Sequence, residues 1–241
     1  MNYQLRPLQS VEEYLLFFEK RQILNQRFVE SPKSVQEGLE IDFFDCSSSH
    51  FGLFSTSTNK PIPLAFARLT ELDPKHKIIP ATKPLSIQRK CQEIGGASPA
   101  IQTLPIFEHF GIHDQDLRAA MEMQQPLKYV EAGRLLVTQS NLPARIITDF
   151  IIYLFSVASY YGFDLLLSSV SESHSSFYTK FFGTNTIIRT ANDFSIPMVI
   201  SVFDLKKRTR RKAELIEQFK EAFEQQGATA TLSLTNSKIL S

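Results

Sequence analysis

The chain has no tryptophan, only two cysteines and only nine glycines in 241 residues. Glycine builds the loops that cradle phosphates. Neither G-x-G-x-x-G nor G-x-x-x-x-G-K-[ST] occurs, which argues against a Rossmann or P-loop nucleotide enzyme. Cys46 and Cys91 form no C-x-x-C, so a standard zinc or dithiol motif is excluded. Two cysteines are also too few for a disulfide framework, and a reducing cytoplasm is the expected setting. No basic stretch followed by an apolar core opens the chain, so no leader is expected. The most apolar run, residues 146–163, is interrupted by Thr148, Asp149, Ser156, Ser159 and Gly162 and reads as a buried helix, with no transmembrane segment expected. An excess of charge of one sign is missing too: 26 basic residues face 25 acidic ones.

What is present is an ordinary globular composition, 43% hydrophobic and 21% charged, with 20 phenylalanines. Residues 10–30 read as a helix capped by Ser10, and residues 39–45, 51–55 and 62–69 as short strands, the last two joined in a hairpin through the turn at 56–60. Prolines punctuate residues 71–126, where loops and short helices of an insert or lid are expected. Regular structure returns with a strand at 128–138. A helix started by Ser140-Asn141-Leu142-Pro143 follows and runs to about Tyr161. Next come an apolar strand at 163–170, a short helix at 173–182, strands at 186–189 and 195–204, and a helix at 213–226. The fold class expected from this order is α/β, with a mixed central sheet flanked by helices.

Residues 206–212 pack six basic side chains into seven positions, among them Lys206, Lys207, Arg208, Arg210 and Arg211. Basic residues at a helix N-terminus oppose the macrodipole, so helix stability does not account for them. They are either a solvated linker, with Arg210 paired to Glu214, or a docking patch for an acidic partner. A single short run without interleaved aromatics does not indicate nucleic-acid binding. Residues 206–241 are set apart from the 1–205 domain as basic segment, C-terminal helix and frayed polar tail.

Four features carry possible chemistry. Glu40-Ile41-Asp42-Phe43-Phe44-Asp45 places three carboxylates in six residues, as a solvated strand terminus or as part of a site. Arg68 lies in the apolar run 64–69, and an inward arginine demands a nearby carboxylate. Tyr129-Val130-Glu131-Ala132-Gly133-Arg134 puts Glu131 and Arg134 on opposite faces of a regular strand. A bulge near Gly133 brings them to one face and frees a backbone N–H for an oxyanion. Glu131 and Arg134 are otherwise a structural ion pair. In the segment from His174 to Gly183, Tyr178 is a proton donor for a leaving group or a packing residue. His109 and His113 have the spacing of half a metal site, but no third ligand is evident, and no metal is assigned. The G-x-S-x-G elbow is absent.

The order of these features resembles the acyl-homoserine-lactone (autoinducer) synthases. Still more, it resembles their relatives the N-acyl amino acid synthases and exosortase-associated acyltransferases, all of the GNAT superfamily. The matching residues are Arg21, Glu40 to Asp45, Ala67-Arg68-Leu69 and Glu131-Ala132-Gly133-Arg134-Leu135-Leu136-Val137. Autoinducer synthases usually carry a tryptophan before the acidic motif and an aromatic residue where this chain has Asn25, and the long insert after Leu69 looks more like the N-acyl amino acid synthases.

The resemblance implies a single GNAT-like domain with two splayed strands, 128–138 and 163–170, between which an acyl-pantetheine arm threads. It implies Glu131, then Asp45, as acceptor of the amine proton, and Tyr178 as donor to the departing thiolate. Backbone N–H groups at Gly133 and Leu135 would form the oxyanion site, and Arg21, Asp42, Arg68 and Arg134 an ion-pair network that shapes the pocket or clamps an acceptor carboxylate. The implied activity is N-acyl transfer from acyl carrier protein, or CoA, to an amino-acid-like amine, with no tightly bound cofactor. Residues 206–211 would dock the acidic carrier. The alternatives are a lactone synthase using S-adenosylmethionine and a non-catalytic acyl- or carrier-binding module.

Overall fold

The computed structural model describes residues 2–25, 35–72, 79, 83–96, 103–122, 127–182, 185–189, 197–206, 210–226 and 230–233. In chain order the elements are β1 (Asn2–Pro7), α1 (Val11–Asn25), β2 (Val35–Gln36), β3 (Leu39–Glu40), a 3-10 turn (Phe43–Cys46), β4 (Ser49–Ser55) and β5 (Ile62–Glu71). The insert carries α2 (Leu85–Gly95), α3 (Pro105–Phe110) and α4 (Asp114–Ala120). Then follow β6 (Tyr129–Val137), α5 (Ala144–Tyr160), β7 (Leu165–Ser171), α6 (Glu172–Phe182), β8 (Asn185–Arg189), β9 (Met198–Asp204), α7 (Arg210–Gln226) and β10 (Ala230–Ser233).

The main sheet has eight strands in the order β10-β1-β4-β5-β6-β7-β9-β8. Every neighbouring pair is antiparallel except β6 and β7, which the α5 crossover makes parallel. Alternation along β5 sorts the two faces. Ala65, Ala67 and Leu69 join the core with α5 and α7, while Phe66 joins the core with Tyr14, Phe17 and Phe18 of α1. A third cluster packs Leu104, Ile106 and Phe107 of the insert on Tyr129, Leu165 and Leu167. This is the mixed, helix-flanked sheet expected from the sequence.

Local chemistry explains several boundaries. Ser10 and Glu13 form a reciprocal capping box at the start of α1, Glu13 N donating to Ser10 Oγ at 3.2 Å and Ser10 N to Glu13 Oε2 at 3.3 Å. Prolines of the insert start helices as well as breaking them: Pro105 opens α3, which Gly111 closes with a left-handed φ of 61°. The apolar run at 146–163 is α5 between the sheet and α7, and no described helix is long and apolar enough to cross a membrane.

Some expectations need correction. Residues 39–45 are not one strand. Asp42 turns its side chain onto the Asp45 N–H, and this local bond ends β3 and starts the 3-10 turn. Residues 2–7 form a strand that the sequence reading did not identify, and residues 230–233, expected to be frayed, pair with it as β10. The outer edge of β1 would otherwise present unpaired backbone groups. Neither Ser140 nor Asn141 caps α5, whose N-cap is Pro143. Residues 26–30 of the first expected helix lie outside the described residues.

Phe150 of α5 is fully buried and stacks on Tyr153, with ring centroids 6.3 Å apart. Phe150→Ala should lower unfolding stability by about 3–5 kcal/mol, as read from a urea titration.

Candidate active site

The acidic motif folds on itself before it meets anything else. Asp42 N donates to Asp45 Oδ2 at 2.8 Å, and Asp45 N donates to Asp42 Oδ1 at 3.1 Å, a capping box that needs its two acids three residues apart. The same carboxylates also meet guanidinium groups from three other elements. Arg21 of α1 reaches Asp45 at 2.6 Å, Asp42 at 3.0 Å and Glu40 at 3.2 Å. Arg68 of β5 reaches Asp42 at 2.7 Å and Asp45 at 2.9 Å. Arg134 of β6 reaches Asp42 at 3.3 Å and Glu40 at 3.6 Å. The carboxylate that the buried arginine demands is thus present, and Arg21, Asp42, Asp45, Arg68 and Arg134 converge.

Burial opposes ionisation of Asp45, but Arg21, Arg68 and the His50 hydrogen bond outweigh it and hold its carboxyl well below the usual range. His50 of β4 sits 3.0 Å from Asp45 Oδ1, ringed by Tyr14, Phe17 and Phe18. Burial lowers the His50 pKa to about 3, so it is neutral and its Nε2–H donates to Asp45. Neither His50 nor the buried Lys83, which donates to the Ser48 carbonyl, was singled out from sequence. A histidine in an apolar strand and a lysine between prolines carry no motif.

The expected bulge near Gly133 exists. Arg68 pairs with Gly133 and Phe66 with Leu136, so Ala67 faces two residues, Arg134 and Leu135. The left-handed conformation falls on Arg134, with φ of 58°, and not on Gly133. The bulge turns Arg134 to the face that carries Arg68 and Glu131. Gly133 serves a different need: a Cβ there would stand 3.1 Å from Glu131 Oε1.

Glu131 is 4% exposed, and its Oε2 accepts the backbone N–H of Ile106, at the start of α3, at 2.8 Å. Burial raises its pKa to about 7, although Arg68, the Ile106 N–H and Arg134 act in the opposite direction. Of the two carboxylates considered for proton removal, Asp45 has its oxygens committed to four donors, whereas Glu131 is poised between its two protonation states at neutral pH. The insert supplies the Ile106 contact, which the sequence reading did not anticipate.

β6 and β7 pair only through Tyr129–Leu165, Val130–Leu166 and Glu131–Leu167 and part beyond that point. Between them lies an apolar slot bounded by Ala67, Ala132, Gly133 and Leu135 on one side, Leu166, Ser168 and Phe203 on the other, and Ile151, Leu154, Phe155 and Tyr178 above. Its free volume is about 30 Å³, room for about two waters, so a long acyl chain enters only if side chains move. Tyr178 packs against Phe177, Phe182 and Phe203, and burial raises its pKa, so it stays protonated.

Lys206 lies away from this cluster, paired with Asp164 at 2.6 Å. Lys207 and Arg208 fall outside the described residues, as do the side chains of Arg210 and Arg211 and the whole of Gly183. Among the described residues no group of three His, Cys, Asp or Glu side chains is arranged to hold a metal.

No family model and no curated protein sequence matches the chain. Solved structures do match. FeeM, an N-acyl amino acid synthase from uncultured soil microbes, is 14% identical over 86% of this chain and 93% of its own, with a TM-score of 0.54. The AHL synthase LasI is 10% identical over 88% and 94%, with a TM-score of 0.55. BjaI, a CoA-dependent acyl-homoserine lactone synthase solved with SAM and isopentyl-CoA, is 10% identical over 91% and 90%, with a TM-score of 0.51. At such identities the likeness is one of fold, and it is the fold that the motif order implied.

Glu131 sets a pH dependence. Its folded pKa lies above the unfolded one, so the penalty for ionising it is absent below about pH 4 and complete above pH 7. Glu131→Gln should therefore unfold like the parent near pH 4 and gain up to about 3 kcal/mol at pH 8. Equal urea midpoints of the two proteins at both pH values would show that Glu131 ionises freely.

Proposed function

We propose that the chain is an N-acyltransferase that moves an acyl group from a pantetheine thioester to the amine of an amino-acid-like acceptor. The observation that carries this reading is the position of Gly133. It lines the slot between the parted strands and also lies against the Glu131 carboxylate on the opposite side of β6. A thioester entering the slot and an amine approaching from the Glu131 face therefore meet across one residue without a side chain. The shared fold with FeeM and the AHL synthases supports the same class of reaction.

In this reading the pantetheine arm lies between the unpaired facing edges of β6 and β7, bonding to them as a strand would. Glu131, directly or through a water, accepts the proton of the acceptor ammonium, for which a pKa near 7 is well matched. The free amine attacks the thioester carbonyl. Backbone N–H groups at Gly133, beside the bulge, and Leu135, within it, stabilise the oxyanion. The C–S bond then breaks, Tyr178 protonates the thiolate, and the second amine proton leaves the nitrogen and restores Tyr178, so that an amide and a thiol result. Asp45 holds the network, and Arg134, whose side chain is 28% exposed, is the arginine able to meet an acceptor carboxylate.

The chain has no glycine-rich basic loop for a CoA diphosphate after Val137, which favours acyl carrier protein as donor. The basic run at 206–211 would then dock the acidic carrier.

Incubating the protein with acyl-carrier-protein and acyl-CoA donors of several chain lengths, an amino-acid panel and S-adenosylmethionine should yield N-acyl amino acids, detectable by mass spectrometry. A lactone product would move the assignment to a signal synthase, and no product with any pair would reject it. Glu131→Gln should lower the rate about 10²–10⁴-fold while remaining folded. Reversing the charges of Lys206, Lys207, Arg208, Arg210 and Arg211 should weaken carrier binding at low salt and leave it little changed at high salt. An unaltered Kd at low salt would place the docking surface elsewhere.

A further inference from the structure

The insert borders a second cavity, separate from the slot between β6 and β7. It opens to solvent, and its free volume is about 500 Å³, within the range of small-molecule sites, against about 30 Å³ for the slot. Leu72, Phe107, Ile112 and Leu127 give it apolar walls. Tyr129 of β6 and Asp114 and Arg118 of α4 bring polar groups to it.

These three groups act in series. Tyr129 is 6% exposed, and its hydroxyl donates to Asp114 Oδ1 at 2.9 Å. Burial and the bond to Asp114 raise the Tyr129 pKa, so the hydroxyl keeps its proton. Asp114 Oδ2 accepts from Arg118 Nε at 2.5 Å. Both oxygens of Asp114 are thus engaged, one from the sheet and one from its own helix, and Arg118 is held by Nε. Its outer edge, Nη1 and Nη2, meets no acceptor among the described residues, and the side chain is 37% exposed. An ion pair four residues apart that served only the helix would need neither the sheet tyrosine nor the cavity.

We infer that this cavity binds a small carboxylic acid with an apolar body, its carboxylate on the outer edge of Arg118 and its hydrocarbon against Leu72, Phe107, Ile112 and Leu127. The two terminal nitrogens of a guanidinium offer parallel N–H groups that match the two oxygens of a carboxylate. Asp114 offsets much of the Arg118 charge at a distance. Recognition therefore rests on short, directed hydrogen bonds and on burial of hydrocarbon, with little long-range attraction.

Two kinds of molecule carry this chemistry: a free fatty acid, and an N-acyl amino acid such as the proposed reaction would release. The site does not depend on that reaction. It is nonetheless close to the candidate catalytic carboxylate. Phe107 lines the cavity and meets the Tyr129 ring edge-on, with centroids 5.7 Å apart, and the preceding residue, Ile106, gives its N–H to Glu131.

The test uses the full-length protein and no acyl donor, so its result and that of the acyl-transfer assay are independent. Calorimetric titration with octanoate and with N-octanoylglycine should show binding of at least one, the tighter naming the source. Methyl octanoate, which keeps the hydrocarbon and loses the charge, should bind about tenfold more weakly or worse. Arg118→Gln should weaken the acid by a similar factor and leave the ester unchanged. A fatty acid carrying a photoreactive diazirine should label peptides within residues 103–118, as read by mass spectrometry. Labelling confined to residues 151–155 or 166–168, which border the slot, would overturn the inference. So would equal affinity for acid and ester, an Arg118→Gln variant that binds as the parent does, or no binding at all. The labelling map and the acid–ester comparison on the parent decide the matter even if the variant fails to fold.

Discussion

The carboxylate of Asp45 accepts hydrogen bonds from Arg21, Arg68, His50 and the Asp42 backbone, joining α1, β5, β4 and the acidic turn at one buried point. A unit charge so far from water is tolerable only because its partners are close. At about 3 Å and an effective dielectric near 20, each pair is worth roughly 5 kcal/mol, comparable to the several kcal/mol lost per ion on desolvation. The network as a whole therefore adds little net stability, yet losing one partner strands the others. Its value is positional. It fixes where Arg134 stands on β6, and through Arg134 where the bulge lies.

That bulge links the electrostatic half of the site to the apolar half. A non-glycine residue with positive φ is strained, and Arg134 is kept there by its contacts with Asp42 and Glu40. Past Glu131, β6 leaves β7, and the exposed backbone edges border a slot walled by alanine, leucine and phenylalanine. Charge on one face of the strand and hydrocarbon on the other thus come together at Gly133 without mixing.

Much of this was legible in the amino-acid order. Apolar runs with a polar turn between them marked the β4–β5 hairpin, and Arg68 within such a run announced a buried partner. The E-x-D-x-x-D spacing was legible as a motif but misread as a strand, because a side chain bonding its own backbone three residues on outcompetes the extended conformation. β1 and β10 escaped notice because each is short and gains its regularity from its sheet neighbours, β1 from β4 and β10, and β10 from β1. The Ile106 contact to Glu131 and the place of Lys83 both depend on how the insert folds back. No local pattern encodes such long-range returns. The bulge near Gly133 was legible from the Glu131–Arg134 spacing, but the positive φ at Arg134 was not, because tertiary ion pairs hold it there.

The insert also has a kinetic side. β5 and β6 are adjacent in the sheet, but α2, α3 and α4 separate them in the chain. Loop-closure entropy grows only slowly with length, by about 0.6 kcal/mol per doubling, so the finished sheet is hardly penalised. The rate is another matter, because non-local strand pairing is slow. Until β6 docks, β5 is an edge strand with Phe66 and Leu69 uncovered and Arg68 already bound to the acidic turn. A folding intermediate that ends at β5 would carry an open template for pairing with other chains, and α2, packed beside the turn, is the first part of the insert placed to shield it.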